Sequence, residues 1–357
     1  MAAAPGMAAA RRGERGLRRL GLFWLVILLA AGAGAGVLAY LGPPAPAARG
    51  VVARPPGPPA PAPVHAAGPA APVALFQGGI ASPNRPGAPI PAALPKLIAP
   101  APYVGAFLPR VARDGLTPMA AYSAGFDRAD PRPRIGIVIS DIGLAQAESE
   151  TAIRVLPAAV ALAFSPYAGS VQALQDEARR AGHELLVSIP MEPRGAPLSS
   201  AGPRALASGL GPAQNAQRLA FALSRITAYA GTIGGLGAML GERFSADQVG
   251  FDAMLRTIAR RGLYYLDARP GAPHPPFAWG TSVSVILDRH GAPGAFDRHL
   301  AALETIARRQ GWALGYLGAP APRYVRKLAA WTATLDAAGF VLAPPSALIT
   351  APPASRP

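Results

Sequence analysis

Residues 135–190 read IGIVISDIGLAQAESETAIRVLPAAVALAFSPYAGSVQALQDEARRAGHELLVSIP. Three short aliphatic runs, IGIVIS (135–140), VALAFS (160–165) and ELLVSIP (184–190), are separated by amphipathic stretches that place apolar residues at helical spacing. That alternation indicates parallel strands joined by helical crossovers. It continues downstream through GTIGGLG (231–237), LYYLDA (263–268), SVSVIL (282–287), WALGYL (312–317) and FVLAP (340–344). Helices are expected near 145–155, 170–181, 213–229, 247–261, 295–310 and 323–338, several ending at a glycine such as Gly182, Gly262, Gly311 or Gly339, as a C-terminal cap requires. Seven or eight strands in an α/β pattern fit a closed β/α barrel. An open doubly wound sheet is the alternative, because strand count alone does not show closure.

Upstream of this repeat the composition changes twice. Residues 20–41 (LGLFWLVILLAAGAGAGVLAYL) carry no charge, and about 20 apolar residues are what a helix needs to cross a bilayer. Residues 1–19 form a basic tail, with Arg11, Arg12, Arg15, Arg18 and Arg19 against Glu14. Positive flanks stay cytoplasmic, so the expectation is a single-pass plasma-membrane anchor with its C-terminal domain outside, in a periplasmic or extracytoplasmic space. A cleaved signal peptide is the rival reading, since Ala30 to Gly36 are small, although the apolar run exceeds a usual signal core. Residues 43–133 hold 22 of the 42 prolines, which removes amide donors and points to a linker over 42–102. Over 103–133 Tyr103, Phe107, Leu108, Met119, Tyr122 and Phe126 appear; a solvated linker has no use for them, so this arm is expected to pack on the domain at 134–350. Residues 351–357 read as a tail.

Charge and cysteine content narrow the function classes. The formal charge is +15, with 32 arginines and only Lys96 and Lys327 as lysines. The excess is spread along the chain without clustering, so nucleic acid is not an expected partner. There is no cysteine, which excludes disulfides, thiolate metal sites and a cysteine nucleophile. No G-x-S-x-G elbow accompanies Ser165 or Ser188, and the glycines of 231–237 lie within a strand and lack a dinucleotide fingerprint.

Ligands of α/β folds bind beyond the carboxyl ends of strands. That rule selects Asp141, Ser165, Ser188 with Glu192, the segment 238–243, Asp267 and Asp288. Asp141 before a helix, or Asp288 beside Arg289, can equally serve as cap or ion-pair partner. Glu192, Arg243 and Asp267 could also form a salt-bridge network near the strand ends.

The segments IVISDIG (137–143), GHELLVSIPMEP (182–193), GAMLGERF (237–244) and LYYLDAR (263–269), in this order and spacing, resemble the divergent polysaccharide deacetylase family, a distant branch of the NodB-homology carbohydrate esterases. The resemblance spans roughly 103–350, including DGLTPMAAYSAGFD (114–127). It implies a deformed (β/α)7-8 barrel acting on acetylated sugars with one divalent metal, which generates a nucleophilic water while a carboxylate acts as base. On that pattern Asp141 is a metal ligand and catalytic carboxylate, Glu192 a metal ligand, Asp267 catalytic, and Arg243 and Asp288 substrate-binding.

Departures from the pattern are concentrated where chemistry is expected. Ser140 stands in place of the usual base, and Ser188 and Glu192 keep the spacing of an HxxxH pair without an imidazole. Met239 takes a histidine position, and a thioether is a poor ligand for zinc. Val283 and Ser284 fall where an Arg-Asp pair is typical. His65, His183, His274, His290 and His299 are scattered, so a histidine zinc site is excluded by inventory. An all-oxygen site from Asp141, Glu192 and Asp267 could still take Mg, Mn or Ca. Two functions stay open: a catalytically degenerate envelope protein that keeps the sugar-binding cleft or only a surface for a partner, or an active deacetylase of envelope polysaccharide with carboxylate ligands.

Overall fold

A computed structural model describes Trp24 and residues 78–289 and 293–353. The expected basic tail, most of the spanning segment, the linker up to residue 77, His65 and His290 lie outside the described residues. Among the described residues no helix is long and apolar enough to cross a membrane.

An antiparallel pair, β1 (Ile98–Pro100) and β2 (Phe107–Pro109), comes first, followed by α1 (Pro118–Tyr122), whose Thr117 hydroxyl accepts from the Ala120 amide as an N-cap. The repeat then runs β3 (Arg134–Ile142), α2 (Gln146–Val155), β4 (Ala161–Phe164), α3 (Gln172–Arg180), β5 (Leu185–Ile189), α4 (Pro212–Leu223) and β6 (Gly231–Gly234). It continues through α5 (Glu242–Ala246), α6 (Gln248–Arg260), β7 (Tyr264–Asp267), β8 (Gly280–Ser282), β9 (Val285–Ile286), α7 (Ala295–Gln310), β10 (Trp312–Leu317), α8 (Pro322–Thr332) and β11 (Val341–Leu342).

The strands pair in parallel in the order β8-β7-β6-β5-β4-β3-β10-β9. The two ends of that series are neighbours in sequence. Between β8 and β9 lie only Val283 and Ser284; the Val283 amide donates to the Asp267 carbonyl of β7 at 2.9 Å, and the Ser284 amide to the Leu314 carbonyl of β10 at 2.7 Å. One segment thus serves β7 with one edge and β10 with the other, so the sheet curls, which fits a deformed barrel better than an open doubly wound sheet. The run read as a single strand over 282–287 is divided at this point. The final strand, β11, pairs with Arg134 and Ile135 only, below the point where β4 joins β3 at Val138.

Period-two alternation assigns the two faces. Ile135, Ile137 and Ile139 are fully buried in a cluster with helix residues such as Ile153 and Leu303. Val138 shares the inner cluster with Leu186, Tyr264, Leu266, Leu314 and Tyr316. Each such isoleucine contributes about 1.5–3 kcal/mol by burial.

Packing on the barrel starts inside the stretch that composition assigns to linker. The Gly79 amide donates to the Ile349 carbonyl at 2.6 Å, the Ile80 amide to the Ser346 carbonyl at 3.0 Å, and Leu97 is fully buried. Proline there removes some donors, but the intervening residues keep theirs. In the following arm Tyr122 is buried and its hydroxyl accepts from the Leu94 amide. Further on, the Ala124 amide donates to Glu184, a fully buried carboxylate that also accepts from the Tyr264 and Ser346 hydroxyls. No cation among the described residues faces it; burial pushes its carboxyl upward, against these three donors.

Candidate functional site

Ser140 is the last regular inward position of β3, and Ser188 occupies the same face of β5, two residues beyond Leu186. Their hydroxyls hydrogen-bond at 3.1 Å and both side chains are fully buried. Tyr316, inward on β10, donates its hydroxyl to the Gly237 carbonyl at 2.8 Å. The sequence shows serines where the family resemblance calls for base and histidine. Tyr316 was not among the candidates, although its alternation with Leu314 in WALGYL marks it as inward.

Asp141 would point outward by parity. Instead the β3–β4 register shifts between Ile139 and Ile142, and Asp141 takes φ +58°, a left-handed conformation that Asp tolerates better than most residues. The turn aims its carboxylate at the loop after β6, where a Cβ on Gly237 would lie 2.8 Å from Oδ2; only a glycine leaves that space. Asp141 Oδ1 is buried without a hydrogen-bond partner. Asp288, after β9, accepts from the Gly318 amide at 3.0 Å and is close enough to act on Asp141. Burial and then the Asp288 charge push the Asp141 carboxyl up to about 6, against the Gly237 amide and Ser140 hydroxyl, which pull it down. The structure therefore brings Asp141 and Asp288 together, beside a chain of neutral hydroxyls.

The other expected site residues go elsewhere. Tyr264 and Leu266 belong to the inner cluster and Tyr265 to the outer one, where its ring meets Phe251 edge-on at 5.8 Å. Asp267 therefore falls on the outer face, and its carboxylate is engaged by Arg269 through Nη2 at 2.6 Å and Nε at 2.9 Å. A catalytic role for Asp267 is corrected to an ion pair bracing the start of the loop after β7. Glu192 follows β5, but one oxygen accepts from the Ser208 amide and hydroxyl at 2.9 and 2.7 Å, and the other lies 3.3 Å from Arg243 Nε. Burial opposes ionisation of Glu192, yet Ser208 and Arg243 outweigh it and hold the carboxyl below its usual value. Arg243 in turn donates to the Ala196 carbonyl, so the expected metal ligand and the expected substrate-binding arginine are partners in a loop brace.

Among the described residues the histidines are engaged elsewhere. His183 is buried with Nδ1 2.8 Å from the Val160 carbonyl and Nε2 3.0 Å from the Ile153 carbonyl, and burial lowers its pKa. His274 meets the Pro275 carbonyl and Thr350 hydroxyl, and His299 the Leu287 carbonyl. Among the described residues no group of three or more His, Asp or Glu side chains is gathered where it could hold a metal ion. Among the described residues the mouth offers two carboxylates and neutral hydroxyls in place of imidazoles, a donor set that does not fit a divalent metal centre of the deacetylase kind.

The family model for divergent polysaccharide deacetylase matches residues 137–349, more than half of the chain. The chain belongs to the divergent polysaccharide deacetylase family. A solved structure of an uncharacterized protein from Agrobacterium tumefaciens C58 is 34% identical, with a TM-score of 0.62 over 68% of this chain and 98% of that one. No curated protein matches. The divergent polysaccharide deacetylase match starts at Ile137, so the arm segment 114–127, included in the sequence resemblance, lies outside it. Within the matched region Ser140, Asp141 and Ser188 occupy the carboxyl ends of strands, where this fold places its ligands.

Proposed function

We propose that this protein is a membrane-anchored, outward-facing member of the divergent polysaccharide deacetylase family that recognises envelope polysaccharide and has lost hydrolysis. The observation that carries the reading is the mouth of the barrel: Ser140 and Ser188 bond to each other where a deacetylase needs a base and an imidazole. Hydroxyls can hydrogen-bond a sugar, but they neither hold a metal firmly nor accept a proton near neutral pH. Loss of these groups leaves the hydrophobic layers intact, so the fold outlives the chemistry. The uncharged run at 20–41 and the arginines before it support the anchor and its orientation.

Full-chain protein incubated with N- and O-acetylated oligosaccharides and added Mn, Mg, Ca or Zn is expected to release no acetate while still binding the glycan. Metal-dependent acetate release, abolished in Asp141→Ala, would overturn the reading in favour of a carboxylate-ligated enzyme. The convergence of Asp141 and Asp288 is the one observation that favours that second reading.

A further inference from the structure

Between Glu192 and Glu242 the sequence has four arginines, Arg194, Arg204, Arg218 and Arg225, and no acidic residue. Folding gathers three of them around a single ring. The guanidinium carbons of Arg204 and Arg225 each lie 5.5 Å from the Phe221 centroid. Arg218 precedes Phe221 by three positions on α4, which puts both on one face of the helix. Tyr103 meets the Phe221 ring edge-on at 6.1 Å, and Tyr167 lies beside it at 6.3 Å.

The patch is fixed by contacts among segments remote in sequence. Tyr103 donates its hydroxyl to the Gln217 carbonyl at 3.0 Å, and the Arg204 amide donates to the Tyr167 hydroxyl at 3.1 Å. Arg225 donates to the Pro166 and Ala168 carbonyls, and Arg218 to the Ala205 carbonyl. The Gly202 backbone is pressed on the Tyr167 ring so closely that a Cβ would lie 2.6 Å from it. Arg204 and Arg225 are exposed and the three aromatic residues half-buried. No ion pair among the described residues includes Arg204, Arg218 or Arg225.

We infer that this surface binds an anionic polysaccharide, gripping its uronate carboxylates with the Arg204 guanidinium held over the Phe221 ring, in the positive field of Arg218 and Arg225. A guanidinium laid against an aromatic ring keeps its edge of N–H donors outward and pre-oriented, which suits bidentate carboxylate recognition. The Arg204 side chain makes no hydrogen bond among the described residues, so its whole fork is free. A neutral sugar would leave three like charges uncompensated. Nucleic acid needs open ring faces for base stacking, and here guanidinium groups lie against Phe221. The loops carrying Tyr167 and Arg204 leave the carboxyl ends of β4 and β5, whereas Phe221 and Arg225 lie at the end of α4 that leads back to β6, so a chain gripped here runs along the outer flank of the barrel. The inference rests on the glycan-recognition reading and adds the charge class of the glycan.

The test is binding of the full chain to polygalacturonate against neutral dextran, by affinity electrophoresis at physiological salt. Polygalacturonate is expected to bind more tightly, and Arg204→Ala to weaken it about tenfold. Arg204→Lys should recover little of that loss, because a point charge lacks the fork. Arg309→Ala, an exposed arginine outside the patch, should change it by less than about twofold. Equal losses in Arg204→Ala and Arg309→Ala would reduce the effect to overall charge and overturn the inference. So would tighter, Arg204-dependent binding to single-stranded RNA or to phosphatidylglycerol vesicles. Dextran bound as well as polygalacturonate, with Arg204→Ala inert, would overturn the patch and leave the glycan reading standing. Binding to neither, nor to the acetylated oligosaccharides above, would remove both.

Discussion

Asp141→Asn should stabilise this protein at neutral pH and leave it unchanged in acid. The carboxyl has an ordinary value of 3.8 and is pushed up to about 6 in the fold, first by burial and then by Asp288. A carboxyl that is harder to ionise folded than unfolded helps the fold only while protonated. Its contribution is fully present below pH 3.8, drains away as pH rises from 3.8 through about 6, and is absent above. At about 1.4 kcal/mol per pH unit that interval amounts to about 3 kcal/mol, and partial exposure at the rim brings the expectation to about 1.5–3 kcal/mol. Asparagine keeps the shape, accepts the left-handed backbone as readily as aspartate, and offers an amide donor toward Asp288. Urea or thermal denaturation of the full chain followed by tryptophan fluorescence should therefore give coincident curves near pH 4 that separate above about pH 6, with the variant more stable. Curves that stay coincident throughout would falsify the raised Asp141 carboxyl, whichever of burial and Asp288 contributes more. A variant less stable at neutral pH would mean that the Asp141 charge is satisfied by a bound cation.

Other perturbations probe the braces around the mouth. Glu184→Ala strands the Tyr264, Ser346 and Ala124 donors and should cost about 3 kcal/mol, with limited proteolysis cutting the arm near residues 124–133 earlier than in the parent. Glu192→Ala removes the partner of Ser208 and Arg243 and should cost about 1–2 kcal/mol without changing glycan binding; since its carboxyl is held low, this stabilisation should fade as pH falls through that depressed value. An unchanged melting temperature with lost glycan binding would return Glu192 to the site. Asp267→Ala leaves the Arg269 guanidinium unpaired and should cost about 2–4 kcal/mol, again with binding intact once the protein is compared below its lowered transition.

Strands and helices were legible because burial on both faces of a parallel sheet writes continuous aliphatic runs such as IGIVIS. Most bounds shifted by only a few residues, while the helices expected to reach 229 and 338 end at Leu223 and Thr332. The division of 282–287 was not legible, since nothing local to SVSVIL says that its two halves serve opposite edges. Asp141 and Asp288 were legible as polar residues after strands; the left-handed turn that brings the Asp141 carboxylate toward Asp288 was not, because aspartate is compatible with either backbone. The pairing of Asp267 with Arg269 was not anticipated, although YYLD carries its direction: a residue one step from inward Leu266 faces outward. Glu184 finds its partners 60, 80 and 162 positions away, and the Phe221 patch draws on residues from 103 to 225. Neither has a local pattern, and the even spread of arginines along the sequence conceals how three of them meet in space.

The pairing of Gly79 with Ile349 and of Ile80 with Ser346 has a mechanical consequence. Ser346 bonds to Glu184, just before β5, and the Ala347 carbonyl accepts from Arg134, where β3 begins, so the chain enters the domain at the amino ends of the strands. The mouth, with Ser140, Asp141 and Ser188, lies at the opposite ends. If the protein is tethered through its N-terminal segment while its mouth holds a glycan, tension runs along the strand direction. It shears the parallel ladders, which resist as a set, and it meets first the two short hydrogen bonds at Gly79 and Ile80, which can peel one at a time. That entry point is then the joint the load reaches first, before the strands themselves.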